Sequence, residues 1–178
     1  MLRDSHALFA GGATTTAGLF AGSALYISAV QQPALQRSVL SPSVRVAFFS
    51  SMFRRAAPLQ ASLATLSGTA AVMAGLLQRK DDALTMTSNN QATLWLATGA
   101  TMIAIVPYTL VAMMKLNQQL LDTEKGSLQY GDAWIDASLK KWARMHGVRT
   151  GASLLAFTGM VAALVGSTQD RAGTKYRL

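Results

Sequence analysis

The sequence predicts an all-α integral membrane protein, a four-helix bundle with a short interfacial amphipathic helix before the fourth span. Two observations carry this. Of the 178 residues 51% are hydrophobic and only 13% are charged, about half the charged share of an ordinary soluble domain. The Asp, Glu, Lys and Arg side chains are also confined to short segments. They leave four charge-free stretches, Ala7–Gln36, Ala56–Gln78, Ala83–Met114 and Thr150–Gln169, of 30, 23, 32 and 20 residues. A helix crossing the hydrocarbon layer needs roughly 20 mostly apolar residues. A soluble bundle would need a charged face on each helix to meet water, and these stretches have none.

The elements follow as one membrane domain over residues 1–178. The first span is placed at about 8–30. It is too long for the core of a signal peptide, and only Arg3 precedes it as a basic side chain, so it is expected to stay in the mature protein. Its Gly18-x-x-x-Gly22 sets two small residues one turn apart, which predicts close helix packing. The polar connection 31–56 carries Arg37, Arg45, Arg54 and Arg55 and no acid. Ser41-Pro42-Ser43 reads as a turn, and Val44–Phe53 as a short interfacial helix. The second span, about 57–77, has Pro58 in its first turn, where a missing amide proton costs least.

The connection 78–91 is short and mixed in charge. The third span, about 92–114, has Trp95 near an interface and Pro107 inside. That proline removes a backbone hydrogen bond and leaves the carbonyl of Ile103 for Tyr108 or Thr109 to satisfy, so a kink is expected. In the connection 115–148, Asp132–His146 reads as an amphipathic helix lying along the membrane surface and running into the fourth span, about 149–166. A basic tail, 167–178, closes the chain.

Basic residues orient the bundle. Ten Lys and Arg lie in the first and third connections with Arg149 included, against six in the termini and second connection. The first and third connections are therefore expected on the cytoplasmic or matrix side and both termini opposite. The net charge of +8 is of the kind that flanks membrane spans and does not call for nucleic acid. With no cysteine, disulfides and thiolate chemistry are excluded. The two histidines, His6 and His146, fall on opposite sides of this topology, and no charge-free stretch holds a carboxylate. Metal centres, bis-histidine haem and intramembrane proton relays lack their ligands, and no cofactor is expected.

The topology brings one set of helix ends to a single face. Gln31, Gln32, Arg54, Arg55, Gln60, Lys115, Asn117, Trp142, His146 and Arg149 gather there, and this is where a site is expected. Trp142, His146 and Arg149 stand at i, i+4 and i+7, so a continuous helix puts them on one face. Together they would offer a stacking surface, a titratable base and a fixed cation. The plainer reading makes Trp142 an interfacial anchor, His146 solvated, and Arg149 a side chain reaching for headgroups.

Several segments resemble the anthrone oxygenase-like family of four-helix membrane domains, whose members are mostly of unknown function. They are Ala17-Gly18-Leu19-Phe20-Ala21-Gly22 leading to Gln32-Pro33-Ala34, Met52-Phe53-Arg54-Arg55-Ala56 with Gln60-Ala61, Pro107-Tyr108-Thr109 with Asn117-x-x-Leu120, and Trp142-x3-His146-x2-Arg149-Thr150. The resemblance spans most of the chain in order. It implies the four-helix membrane fold and, for a fungal subset, oxygenation of anthrones to anthraquinones without metal or flavin. Two positions depart from the pattern. Gln32 stands where many relatives have an acid or histidine before the proline, and a neutral amide is no general base. Asn117 follows Lys115-Leu116 rather than a Pro-Thr pair.

Two functions are expected to compete. One is a non-catalytic membrane subunit that packs in or against a larger complex, placed in the mitochondrial inner membrane, with lipids and neighbouring proteins as partners. The substituted amide at Gln32 and the scarcity of ionisable groups motivate it. The other is a cofactor-independent, anthrone oxygenase-like enzyme acting on a membrane-partitioned aromatic substrate. There His146 would be the base, Trp142 the stacking surface, and Arg149 with Asn117 the stabilisers of oxyanion charge.

Overall fold

A computed structural model describes residues 2–85, 90–126 and 129–175, with side chains described over 4–84, 90–126 and 129–166. Within these residues the chain is helical apart from short connections. Helix α1 (Leu2–Tyr26) runs through a π-turn at Ile27–Gln31 into α2 (Gln32–Arg37); α3 spans Pro42–Thr85; α4 (Gln91–Tyr108) runs through a second π-turn at Thr109–Met113 into α5 (Met114–Glu124); α6 spans Asp132–Lys175. Four helical rods result, each long and apolar enough to cross a membrane. With no water to satisfy backbone amides in hydrocarbon, the helix is the form such stretches must take. Helices α1 and α4 each pack against both α3 and α6, which makes an antiparallel square.

The rods outrun the spans expected from the sequence. At 44 residues each, α3 and α6 are about 66 Å long at 1.5 Å per residue, twice the roughly 30 Å of a hydrocarbon core. Val44–Phe53 is thus the opening of α3 and no separate interfacial helix. Asp132–His146 likewise is the first third of α6 rather than a helix lying along the surface. What replaces the surface arrangement is a second core. One apolar cluster of Ala10, Ala13, Ala17, Phe20, Trp95, Met102 and Met160 fills one half of the bundle. Another, of Val46, Phe49, Met113, Leu120, Leu139 and Trp142, fills the other half. The amphipathic faces read as membrane-seeking are buried against each other there. Ion pairs Arg45–Asp136 at 2.6 Å and Arg54–Glu124 at 2.5 Å brace its flanks.

Several local expectations change with this. Pro58 lies well inside α3, not in a first turn; Pro42 opens the helix instead, the position where its ring fits without loss. Of the Gly18–Gly22 pair only Gly18 takes part in close helix packing: a methyl group there would stand 3.0 Å from the Phe157 ring of α6, whereas one on Gly22 would meet nothing within 4 Å. The close backbone approach is between α3 and α4, where a Cβ on Gly99 would stand 2.9 Å from the Gly68 carbonyl oxygen. Trp95 is buried in the core with its ring edge-on to His6. After Pro107 the Thr109 hydroxyl bonds the carbonyl of Ile105 rather than that of Ile103, at 2.7 Å, and Tyr108 reaches the Met145 carbonyl at 3.4 Å. The chain widens there into a π-turn. In the second connection α3 continues to Thr85 and residues 86–89 lie outside the described set; so do the side chains of the basic tail.

Candidate functional site

The site lies where the two cores meet. Trp142, His146, Arg149 and Thr150 share the inward face of α6, as the i, i+4, i+7 spacing requires, and all four are buried. None is an interfacial anchor. The Trp142 and His146 rings are stacked, with centroids 4.7 Å apart at 26°, and Phe49 meets Trp142 edge-on at 5.1 Å. The indole Nε1–H donates to Asn117 Oδ1 at 2.8 Å, which locks the ring plane from α5.

Each nitrogen of His146 has a distinct surrounding. Nδ1 lies 3.0 Å from Ser28 Oγ, Ser28 Oγ lies 2.8 Å from Thr150 Oγ1, and Thr150 Oγ1 donates to the carbonyls of His146 or Ala24 at 3.1 and 3.3 Å. Thr150 Oγ1 also lies 3.4 Å from Nδ1, so two hydroxyls hold that edge of the ring. Nε2 is buried and has no hydrogen-bond partner among the described residues.

Arg149 is held by its surroundings without a carboxylate among the described residues. One guanidinium nitrogen donates to Gln60 Oε1 at 3.1 Å, and Gln60 Nε2 reaches Ser23 Oγ at 3.4 Å. The Phe20 ring lies 5.8 Å from the guanidinium carbon, a cation–π distance. Its Nε has no partner.

A small cavity of about 120 Å³, partly open to the outside, adjoins these groups. Trp142, His146, Arg149 and Gln60 form its inner wall. Its rim is apolar, with Ala61, Leu110 and Met114 exposed on the outer surface of the bundle. The second π-turn supplies Thr109 and Leu110, the first supplies Ile27 to the same cavity. Such turns inside α-helices often mark functional sites.

Of the residues expected here, Trp142, His146, Arg149, Gln60 and Asn117 are brought together. Asn117 stands behind Trp142 and does not line the cavity, so it positions a ring rather than touching a ligand. Gln32 is fully buried close by but faces a different cavity. Arg54, Arg55 and Lys115 are exposed, and Gln31 is half-buried. Sequence reasoning missed the roles of Ser28 and Thr150, whose hydroxyls hold the Nδ1 edge of His146. Thr150 could have been found one turn after His146 on the same face; Ser28, 118 residues away, gave no local signal. His6 stands at the far end of α1 from Ser28, about 33 Å along the helix axis.

The sequence profile described as anthrone oxygenase matches residues 49–159, more than half of the chain. The chain belongs to the anthrone oxygenase family. The matched segment holds Gln60, Asn117, Trp142, His146 and Arg149. Helix α1 and its π-turn precede it, so Ser28 is contributed to this anthrone oxygenase-family site from outside the matched segment. Comparison with curated proteins and with solved structures gives no match.

Proposed function

We propose that this chain is a membrane-embedded oxygenase of flat aromatic ketones, acting by the chemistry for which its family is described. The single observation that carries this reading is the unpartnered Nε2 of His146 on the wall of an apolar cavity. An anthrone carries an acidified methylene opposite a ring carbonyl, and it would lie against the stacked Trp142–His146 surface. His146 Nε2 takes one methylene hydrogen, and the resulting anion spreads its charge to the carbonyl oxygen, where Arg149 stabilises it. The carbanion adds dioxygen, and the peroxide recovers that proton from the imidazolium. His146 then takes the second hydrogen as the O–O bond breaks, and the departing hydroxide receives it as water. The sum is anthrone plus dioxygen to anthraquinone plus water.

The test is oxygen uptake by the purified, lipid-reconstituted chain with an anthrone, with the quinone followed by absorbance. One quinone per dioxygen is expected, and His146→Ala should lower turnover by about 10²–10⁴-fold, the usual contribution of a general base. Turnover no faster than spontaneous oxidation, or unchanged in His146→Ala, would overturn it.

The second reading is the non-catalytic subunit of a larger membrane complex, in the mitochondrial inner membrane with the His146 end towards the matrix. Gln32, an amide in the place of an acid or histidine, supports it, and the basic excess at that end supports the orientation. Recovery of the chain in a stable large complex after mild solubilisation, with no turnover, is its expected outcome.

A further inference from the structure

A second cavity lies on the other side of Ser28 from His146, between α2 and α6. It is a widely open recess of about 580 Å³ to which Ser28, Gln32, Gln36, Lys140 and Arg144 contribute polar or cationic groups and Pro33 and Ala143 apolar ones. Lys140 and Arg144 stand at i, i+4, hence on one face of α6, and no described carboxylate lies within ion-pair distance of either. At its floor is Gln32, 1% exposed, with both Oε1 and Nε2 lacking a hydrogen-bond partner. A buried primary amide with four unmet hydrogen-bonding positions is costly. It signals a polar occupant that the protein alone does not supply.

We infer that this recess binds the phosphate of an anionic glycerophospholipid, with Lys140 and Arg144 neutralising the headgroup and Gln32 Nε2 donating to a phosphate oxygen. Three features point to a lipid. The recess is at the end of the bundle that the basic excess assigns to the cytoplasmic or matrix leaflet. Basic recesses between spanning helices on that side suit anionic headgroups. The outer surface beside it offers exposed Leu25, Tyr26 and Val30 on the first rod, a track for an acyl chain. The inference is independent of whether the neighbouring cavity is catalytic.

The test uses the full chain purified in detergent and exchanged through equal amounts of phosphatidylglycerol and phosphatidylcholine of matched chains, with retained lipid counted by native mass spectrometry. One phosphatidylglycerol should be retained preferentially. The exposed double variant Lys140→Ala/Arg144→Ala should lose roughly thirtyfold in that preference, the worth of two interfacial cations. Arg79→Ala/Lys80→Ala, at the end of α3 far from the recess, should keep it. Gln32→Leu should weaken retention severalfold with helix content unchanged by circular dichroism. Wild-type preference in the Lys140/Arg144 variant would overturn the inference. Displacement of the lipid by millimolar inorganic phosphate would too, because a free anion would then be the occupant.

Discussion

Asn117→Leu separates positioning from chemistry in this site. Asn117 is 0% exposed and Trp142 2% exposed, and among the described residues the indole N–H has one acceptor, Asn117 Oδ1 at 2.8 Å. Removing that acceptor strands a buried donor, at a cost of about 1–3 kcal/mol. Trp142→Phe removes the donor and some ring volume, and by itself strands the amide of Asn117. The double variant strands neither, so its loss should fall short of the sum of the singles. Hydrogen bonds between membrane helices couple by about 0.6 kcal/mol on average and about 1.7 at most; for a short, buried pair a coupling of about 1 kcal/mol is expected. The assay is a double-mutant cycle on reversible unfolding in mixed micelles. Additive losses would refute the claim that the two act as one unit. A second arm reads ligand turnover. If Asn117 only orients Trp142, then Asn117→Leu and Trp142→Phe should impair turnover together, and the double variant should be no worse than Trp142→Phe alone. A further loss in the double variant would mean that Asn117 touches the substrate after all.

Two further outcomes follow from the packing and the hydrogen-bond chain. Gly99→Ala should destabilise the bundle by about 1–3 kcal/mol, because its methyl group would stand 2.9 Å from the Gly68 carbonyl, while Gly22→Ala, with nothing within 4 Å, should be neutral; thermal unfolding of the pair in one detergent checks both. Ser28→Ala should remove the 3.0 Å partner of His146 Nδ1 that orients the ring and lower kcat more than KM, with Ser28→Thr restoring most of the rate; steady-state kinetics of the three proteins would show otherwise if KM alone moved.

How far the sequence reached is clearest from particular residues. Four uncharged stretches were enough for the bundle, because hydrocarbon leaves a chain little else to be. The Trp142, His146 and Arg149 face was legible because one helix carries all three. Arg54 and Arg55 misled: charges end a stretch that can lie in lipid, yet nothing obliges a helix to stop where the lipid does, and α3 runs on past them. The second core was hidden because Phe49, Leu120 and Leu139 come from three segments whose mutual contact is a tertiary fact. Ser28 was invisible for a related reason, since one hydroxyl in an apolar span barely alters hydropathy and its partner is far along the chain.

The π-turn at Ile27–Gln31 decides which of two adjacent amides the interior receives. Buried positions on the first rod fall at Ala10, Ala13, Ala17, Phe20, Ala21, Ala24 and Ile27 and then at Gln32, a final gap of five where the earlier ones are four or fewer. A regular helix would have carried Gln31 nearer the centre of that buried face than Gln32. The extra residue in that loop of backbone therefore works as a register key. A chain shortened by one residue between Ile27 and Gln31 would keep every side chain beyond it and still present a different one to the recess.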